Sequence, residues 1–360
     1  MQDDTSRDRK KAIDMVVRKH RKEWMNRYNA IAIGRGLKIK NNQITDIESI
    51  VFFVPKKYDA EVLKTLKIEI IPKELEGYPT DVVEVPEGFK IRSAAPDDRR
   101  YRPITGGIAC INAKERGTGT LAIINSKGEL LSNNHVLAMG SNEKCSPASR
   151  GDPIIQPGAH GGGRVPDDVV AELDRWGVLK VSGMAENPCK VGSGLAKTLS
   201  LLPKGLGRRG VFKYVYSLEY NRIDAAVATA TSEYVANVIR ISPEDTLTID
   251  GVETERAVGE PRAKRGRTTG YTTGKIYALD VTVPVSGYAC NSTAYFENQV
   301  AIVGDSGSFS KPGDSGSLVF KHGHATELLF AGGETSNGID ITIASPIEYV
   351  ISELNYKLHK

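Results

Sequence analysis

The sequence predicts a mainly β protein: a small α+β module, then a larger β-sandwich or β-barrel part, then a C-terminal helix. From about residue 105, short apolar runs alternate with Gly, Asn, Pro and Ser, which is the spacing of an all-β fold. The chain contains 36 Gly in 360 residues and only 7% aromatic residues, which favours tight turns and short strands over long helices. The closing stretch SPIEYVISELNYKL predicts a helix with Ser345 at the N-cap and Pro346 at its first position.

The part before residue 105 predicts one helix and a compact α+β module. Residues 7–28 place apolar side chains at helical spacing, with a basic face that we interpret as solvated. The module has a short helix at 59–67 with Asp59 as N-cap. Four runs predict its strands: 30–39, 48–55, 68–72 and 80–85.

We therefore divide the chain into an N-terminal basic helix (1–28), a small α+β domain (29–98) and a β domain (99–360). The β domain carries a long insertion at about 140–220, rich in Gly, Pro and basic residues. We interpret this insertion as a covering element; a partner site and a long loop are the alternatives.

Composition and charge narrow the class of protein. The net charge of +4 and the hydrophobic content of 40% are ordinary for a soluble globular chain. No apolar stretch is long enough to span a bilayer, and the first residues lack the apolar region of a secretory signal. The cysteines form no CxxC pair, so we expect free thiols in the cytoplasm and neither metal nor cofactor. The four cysteines are Cys110, Cys145, Cys189 and Cys290.

Residues 304–317, GDSGSFSKPGDSGS, contain the tetrapeptide Gly-Asp-Ser-Gly twice. A nucleophilic serine needs a tight turn whose glycines let two backbone amides converge, and the chain should then enter a core strand. Ser315 is followed by the apolar run GSLVF, whereas Ser306 is followed by GSFSKP, which Pro312 interrupts. The sequence therefore predicts Ser315 as the nucleophile.

Serine chemistry also needs an imidazole that accepts a proton and a carboxylate that orients the imidazole. Among six histidines, His135 follows the strand-like run GELLS at the edge of a loop. Asp224 opens the small apolar run AAVATA, where a buried carboxylate needs an imidazole or several amides as partners. Asp168 is the next candidate, with Asp167 and Asp174 beside it, but this stretch can turn its charges toward water.

The segments SNNHVLA, IDAAVA and PGDSGSLVF, in the order His, Asp, Ser, resemble the trypsin/chymotrypsin superfamily of serine endopeptidases. Within this superfamily, the segments GDPIIQPG, GRTTGYTTG and FSKPGDSGS resemble intracellular bacterial trypsin-like proteins related to the plant Narrow Leaf protease. The resemblance covers nearly the whole chain. It implies a double six-stranded β-barrel with a C-terminal helix, preceded by the α+β domain.

The resemblance also implies roles for individual residues. His135 would act as general base and then as general acid, and Asp224 would orient it. Ser315 would form an acyl-enzyme, and the main-chain amides of Gly313 and Ser315 would form the oxyanion hole.

For substrate binding, the resemblance points to two further places. The stretch Ala331-Gly332-Gly333 corresponds to the strand to which a substrate adds as an antiparallel strand. Phe309, six residues before the nucleophile, corresponds to the base of the pocket for the residue before the scissile bond. Because Phe309 is not an acid, we expect an apolar or small residue there rather than Lys or Arg.

The sequence does not support activation by a new N-terminus. The family's Ile-Val-Gly-Gly start is missing, and the similar ITGG follows Pro103, which makes Arg102 an unsuitable cleavage site. An ionised Asp314 would therefore need its counter-charge or its hydrogen-bond donors from elsewhere in the chain.

The sequence as a whole predicts a cytoplasmic serine endopeptidase acting on intracellular protein or peptide substrates, with regulation or bacterial defence suggested by analogy only. We expect a regulatory protein partner to bind the N-terminal domain or the insertion. A catalytically silent scaffold that binds peptides is the alternative. Nucleic-acid binding through the first helix and the KRGR turn (264–267) is a weaker hypothesis, because no aromatic residues are interleaved there.

Overall fold

The computed structural model describes residues 2–41, 43–90, 97–182 and 219–358. No helix in these ranges is both long and apolar enough to cross a membrane. The helices are α1 (Gln2–Arg27), α2 (Ala60–Leu66), α3 (Asn134–Leu137) and α4 (Ile347–Leu354). The first strands are β1 (Ala32–Lys40), β2 (Gln43–Val54), β3 (Glu74–Leu75), β4 (Tyr78–Glu84), β5 (Phe89–Lys90) and β6 (Ile104–Gly106). The next strands are β7 (Ala109–Asn112), β8 (Gly119–Thr120), β9 (Ile123–Ile124), β10 (Glu129–Ser132), β11 (Pro153–Ile155), β12 (Val169–Trp176), β13 (Val181–Ser182) and β14 (Ala226–Ala230). The last strands are β15 (Tyr234–Arg240), β16 (Thr246–Thr248), β17 (Gly251–Val252), β18 (Pro261–Gly266), β19 (Gly270–Tyr288), β20 (Ser292–Gly304), β21 (Leu318–Lys321), β22 (His324–Glu334) and β23 (Asp340–Pro346).

Twelve of the strands after β6 form two barrels of six strands each. In the second barrel, β18, β19, β20, β23, β22 and β21 pair antiparallel in that order, and β21 returns to β18. In the first barrel the order is β7, β11, β12, β14, β10 and β9. Its two ends meet where the Gly107 amide donates to the Leu121 carbonyl at 2.7 Å and the Leu121 amide to the Ile108 carbonyl at 2.8 Å. The mainly β class and the double six-stranded barrel are confirmed.

The part of the predicted insertion that the structure describes is largely barrel wall. Strands β11 and β12 lie between residues 153 and 176 and pair with β7 and β14 of the first barrel. The expected covering element is therefore wrong for these strands, because their apolar residues are needed to complete the sheet. The rest of the expected insertion, residues 183–218, lies outside the described residues.

The N-terminal module extends the sheet of the second barrel. Strand β1 pairs antiparallel with β19, with Ile33 opposite Thr282, and β2 and β4 follow β1 in the same sheet. Helix α1, confirmed by the structure, covers this sheet with buried residues of one face, among them Val17 and Trp24. Residues 68–72 do not form the predicted strand: Lys67 ends α2 in a left-handed conformation, and Ile70 is exposed.

The C-terminal helix begins later than its sequence predicts. Ser345 and Pro346 belong to β23, and α4 starts at Ile347. The Ser345 hydroxyl donates to the Gln299 side chain at 2.9 Å instead of capping the helix, because pairing with β22 continues to Pro346. Residues of α4, including Val350, pack in a cluster with residues of both barrels.

A disulfide bond joins Cys145 to Cys290, so the expectation of free thiols is wrong for these two residues. They are 145 residues apart in sequence, and their Cα atoms lie 6.2 Å apart. Cys110 is a buried free thiol, and burial raises its pKa to about 12. Cys189 lies outside the described residues. The bond joins the loop after α3 to the turn between β19 and β20, and it thereby links the two barrels.

Candidate active site

The histidine and the aspartate predicted for the site meet at one end of the first barrel. Strand β10 pairs antiparallel with β14, with Ser132 opposite Ala226, so the chain leaving β10 and the chain entering β14 lie side by side. His135 lies in α3, directly after β10, and Asp224 lies just before β14. The Nδ1 atom of His135 is 2.6 Å from Oδ2 of Asp224, and the His135 main-chain amide donates to Oδ1 at 3.2 Å.

Burial and hydrogen bonding decide which imidazole nitrogen is free. The side chain of Asp224 is fully buried, and that of His135 is 8% exposed. An ionised carboxylate only accepts hydrogen bonds, so Nδ1 of the neutral imidazole carries the proton. The other nitrogen, Nε2, is buried and has no hydrogen-bond partner among the described residues. In this tautomer the imidazole can accept a proton from a neighbouring hydroxyl.

A tyrosine that the sequence does not single out completes the surroundings of the carboxylate. The Tyr288 hydroxyl, at the end of β19, donates to Oδ2 of Asp224 at 2.7 Å. Burial, with Asp224 beside it, raises the pKa of Tyr288 well above its ordinary value, so the hydroxyl keeps its proton. The Tyr288 ring meets the His135 ring edge-on, with the centroids 6.3 Å apart. No motif around Tyr288 marks it in the sequence.

The second copy of the doubled tetrapeptide is a buried turn that leads into β21. Ser315 is 3% exposed, and Gly313 and Gly316 have positive φ angles of 97° and 93°. A Cβ atom at Gly316 would lie 2.1 Å from the Thr120 carbonyl oxygen, so only glycine fits this close approach. In the first copy, Asp305, Ser306 and Gly307 are exposed. The two identical tetrapeptides therefore have different environments.

Side-chain hydroxyl groups orient the peptide groups of this turn. The Pro312 carbonyl accepts from Thr268 Oγ1 at 2.6 Å, and the Asp314 carbonyl accepts from Ser317 Oγ at 2.6 Å. In a trans peptide the N–H and C=O groups point in opposite directions. The amides that follow these two carbonyls are those predicted for the oxyanion hole, and they therefore point away from both hydroxyls. Neither amide has a hydrogen-bond partner within the described ranges.

Asp314, inside the same turn, is a buried carboxylate with a buried cation as its partner. The Lys264 Nζ atom lies 3.2 Å from Asp314 Oδ2, and both side chains are 0% exposed. The amides of Thr268 and Lys311 donate to this carboxylate at 2.7 and 2.9 Å. Burial lowers the pKa of Lys264, whereas the charge of Asp314 and its hydrogen bond act in the opposite direction. The counter-charge that the sequence requires for Asp314 therefore comes from β18.

The other basic residues of the KRGR turn are internal as well. Arg265 is 5% exposed and lies 2.7 Å from Asp97, and Arg267 is 1% exposed and lies 2.6 Å from Asp98. These cations pair with carboxylates of the same chain. The turn therefore offers no basic surface to a nucleic-acid backbone.

Ser315 and His135 line one cavity of about 180 Å³, whose wall includes residues of both barrels, among them Gly119, Met139 and Gly287. The Ser315 hydroxyl donates to the Phe330 carbonyl at 3.3 Å, and this is the bond it makes in this structure. In ligand-free enzymes the hydrogen bond between nucleophile and base is often long and tightens when substrate binds.

The residues predicted to contact substrate lie in two different places. Residues 331–333 lie in β22, directly after Phe330, whose carbonyl accepts from the Ser315 hydroxyl, and Gly332 pairs with Lys90 of β5. Phe309 is fully buried in the core of the second barrel and is not among the residues that line the cavity. The structure therefore does not bring Phe309 to the cavity.

The alternative carboxylate is engaged elsewhere. Asp168 accepts hydrogen bonds from the Arg100 side chain and the Arg164 amide, both at 3.0 Å, and not from a histidine. In the ranges that the structure covers, no group of three or more His, Cys, Asp or Glu side chains could hold a metal ion.

Comparison with known proteins gives only weak likenesses. No protein-family model matches the chain, and no curated protein matches it. Among solved structures, Cellulomonas bogoriensis chymotrypsin is 13% identical over 70% of this chain and 96% of its own, with a TM-score of 0.41. Thermobifida fusca protease A is 14% identical over the same shares of the two chains, also with a TM-score of 0.41. An alpha-lytic protease homologue, N4, is 16% identical over 71% of this chain and 99% of its own, with a TM-score of 0.43. Likenesses at this level assign neither fold nor function, and both are therefore inferred from the geometry of this chain.

Proposed function

We propose that this protein is a serine endopeptidase that hydrolyses peptide bonds through an acyl-enzyme intermediate, with Ser315 as the nucleophile. The observation that carries this proposal is the buried Asp224–His135 pair: His135 lines the same cavity as Ser315, and its Nε2 has no hydrogen-bond partner in the described chain. A binding scaffold has no need for a fully buried carboxylate that is hydrogen-bonded to an imidazole lining the same cavity as a serine.

In the proposed mechanism, acylation begins when the Ser315 hydroxyl leaves the Phe330 carbonyl and donates instead to Nε2 of His135. The Oγ atom attacks the substrate carbonyl carbon while its proton passes to Nε2, and Asp224 stabilises the imidazolium that forms. The imidazolium then gives this proton to the leaving nitrogen, and the C–N bond breaks. Water completes the cycle: His135 takes its proton, its oxygen attacks the acyl carbon, and Ser315 regains a proton as the ester bond breaks.

The tetrahedral intermediate carries a negative oxygen, and the amides of Gly313 and Ser315 are the groups proposed to bind it. Their orientation is set before substrate arrives, because hydroxyl groups hold the carbonyls of the same peptide units. Donors that need no reorganisation lower the barrier most, and removing one donor typically lowers turnover by about 100- to 1,000-fold.

We further propose intracellular protein or peptide substrates, and a regulatory partner bound by the N-terminal module or by the insertion. The preference for an apolar or small residue before the scissile bond is not part of this proposal, because Phe309, on which it rested, does not line the cavity. The proposal of a cytoplasmic location rests on the resemblance of the segments GDPIIQPG, GRTTGYTTG and FSKPGDSGS to intracellular bacterial proteins of the Narrow Leaf type. Free thiols would support a cytoplasmic location, but Cys145 and Cys290 form a disulfide bond, and such bonds persist mainly in oxidising compartments.

The decisive test is labelling with a fluorophosphonate probe, which reacts with activated serines. We expect the wild type to be labelled and Ser315→Ala to lose labelling completely. Ser306→Ala is the matched control, because it makes the same change in the exposed copy of the tetrapeptide, and it should label at the wild-type rate. Full labelling of Ser315→Ala would reject this nucleophile, whereas an unlabelled wild type would favour the silent scaffold.

Tyr288→Phe is expected to lower the turnover of fluorescein-labelled casein by about tenfold, because a hydrogen bond to a charged group contributes about 1.5–3 kcal/mol. Without the Tyr288 hydroxyl, the Asp224 carboxylate is held less firmly against Nδ1 of His135, which slows proton transfer. The charge that the hydroxyl no longer shares also favours the protonated imidazole in the resting protein. The acid limb of the pH–turnover profile should therefore move to higher pH.

Tyr277→Phe is the control for this variant. It removes a buried hydroxyl that has no hydrogen-bond partner among the described residues, in the same strand as Tyr288. Turnover and pH profile should stay at their wild-type values. If Tyr288→Phe behaves in the same way as this control, Tyr288 has no positioning role.

A further inference from the structure

Strand β5 lies on the edge of β22 to which a substrate is expected to bind. Lys90 pairs antiparallel with Gly332 in β22. On its other side, β5 pairs parallel with β19, where Phe89 lies opposite Val285. A peptide that adds to β22 as an antiparallel strand would use the same main-chain groups of Gly332. The chain's own backbone and a substrate therefore compete for one edge.

This edge borders the cavity of the candidate active site. The Ser315 hydroxyl donates to the carbonyl of Phe330, two residues before the β22 position that pairs with Lys90. In β19, Ser286 also pairs with Lys90, and the next residue, Gly287, lines the cavity. Strand β5 therefore occupies the place where the residues that precede a scissile bond would lie.

Packing fixes β5 in this position. Phe89 is 2% exposed, and its ring meets the ring of Phe53 edge-on with the centroids 5.6 Å apart. Gly333, the next residue of the substrate-binding stretch, would bring a Cβ atom within 2.7 Å of the Gly88 carbonyl oxygen. Because Gly333 has no side chain, the backbone at Gly88, which leads into β5, can approach β22 this closely.

The described chain is anchored again close to the turn that carries Ser315. The Asp97 amide donates to the Arg267 carbonyl at 3.0 Å, and the Asp98 side chain pairs with the Arg267 guanidinium. Arg267 directly precedes Thr268, whose hydroxyl orients the Pro312 carbonyl. The pairing of β5 with β22 and the contacts of Asp97 and Asp98 with Arg267 therefore attach this part of the N-terminal module next to the candidate site.

We propose that β5 is an autoinhibitory strand: it occupies the β22 edge in the resting protein, and a polypeptide substrate pairs with residues 332–333 only after β5 has left. The proposal rests on the proposed function, because it concerns the regulation of the same site. A small electrophile can reach Ser315 through the cavity without using the β22 edge, whereas a polypeptide substrate needs that edge. The two reagents therefore distinguish occlusion from loss of serine reactivity.

Two glycines provide a matched pair of variants. Gly88 leads into β5 with a φ of +64°, and Gly77 lies in the β3–β4 turn, at the far edge of the sheet, with a φ of +79°. A Cβ atom at either position would have open space around it, so a substitution introduces backbone strain without a clash. Gly88→Val strains the turn that places β5, and Gly77→Val introduces similar strain away from the cavity.

The readout is the rate of labelled-casein hydrolysis divided by the rate of fluorophosphonate labelling. We expect Gly88→Val to raise this ratio by about fivefold or more, because a β-branched residue at positive φ strains the state in which β5 is bound. Gly77→Val should leave the ratio unchanged. Phe89→Ala, which removes the ring packed on Phe53, is a second variant with the same expected direction in case Gly88→Val does not fold. A ratio at or below the wild-type value in the folded variants overturns the proposal.

A binding measurement makes the test independent of the chemistry. In the Ser315→Ala background, the affinity for fluorescein-labelled casein, followed by fluorescence anisotropy, should increase by about fivefold with Gly88→Val and not with Gly77→Val. Equal affinities overturn the autoinhibitory strand even if the protein is an active protease. A wild type that does not react with fluorophosphonate counts against the proposed function, while tighter casein binding by Gly88→Val still supports occlusion of the edge.

Discussion

Asp224→Asn is expected to lower the turnover of labelled casein by about ten-thousandfold, as in the serine protease template, while the fold stays intact. The reason lies in the tautomer of the imidazole. Asparagine can turn its amide N–H toward Nδ1 of His135, which must then accept a hydrogen bond, so the ring proton moves to Nε2. Nε2 can no longer accept the proton of Ser315. Because asparagine has nearly the volume of aspartate, the buried site should remain packed.

The measurement combines casein turnover with the rate of fluorophosphonate labelling, and far-ultraviolet circular dichroism checks the fold. Asp168→Asn is the control, because Asp168 is the alternative carboxylate and accepts hydrogen bonds from the Arg100 side chain and the Arg164 amide. It should keep wild-type turnover. Near-normal turnover in Asp224→Asn would assign the orienting role to another group.

Lys264→Met is expected to lower the free energy of unfolding by about 3–5 kcal/mol, because it leaves the buried Asp314 carboxylate without its cation. The amides of Thr268 and Lys311 remain as donors, but they do not replace a full positive charge. Asp314 lies in the turn that carries Ser315, the proposed nucleophile. The rate of fluorophosphonate labelling should therefore fall as well, at a temperature where the variant is still folded.

Urea denaturation measures this loss, with Lys127→Met as the control because Lys127 is exposed. The double variant Lys264→Met/Asp314→Asn removes the unpaired charge and should recover part of the lost stability. If Lys264→Met unfolds at the same urea concentration as the control, the buried pair does not stabilise this turn, and the counter-charge proposed for Asp314 is unnecessary.

The short-range features of the site follow from sequence because they depend on neighbouring residues. Ser315 is distinguished from Ser306 by the residues that follow it: an apolar run enters a core strand, whereas a proline cannot donate to a sheet. The small residues after Asp224 predict a buried carboxylate in the same way. The alternation of apolar runs and turn residues predicts the strands of the barrels, because the residue pattern that favours a strand lies within the strand itself.

The contacts between distant segments were decided by the tertiary structure alone. Tyr288 reaches Asp224, Lys264 reaches Asp314, and β5 reaches Gly332 only once the barrels have closed and the register of their strands is set. The residues next to such a partner in sequence do not reveal it, because a tyrosine, a lysine or a short strand has the same sequence neighbours whichever distant group it contacts. The chain alone therefore determined the kind of fold and which serine, histidine and aspartate to consider. Only the packing of the two barrels and the N-terminal module decided what neutralises Asp314, what donates to Asp224 and what lies on the strand expected to bind substrate.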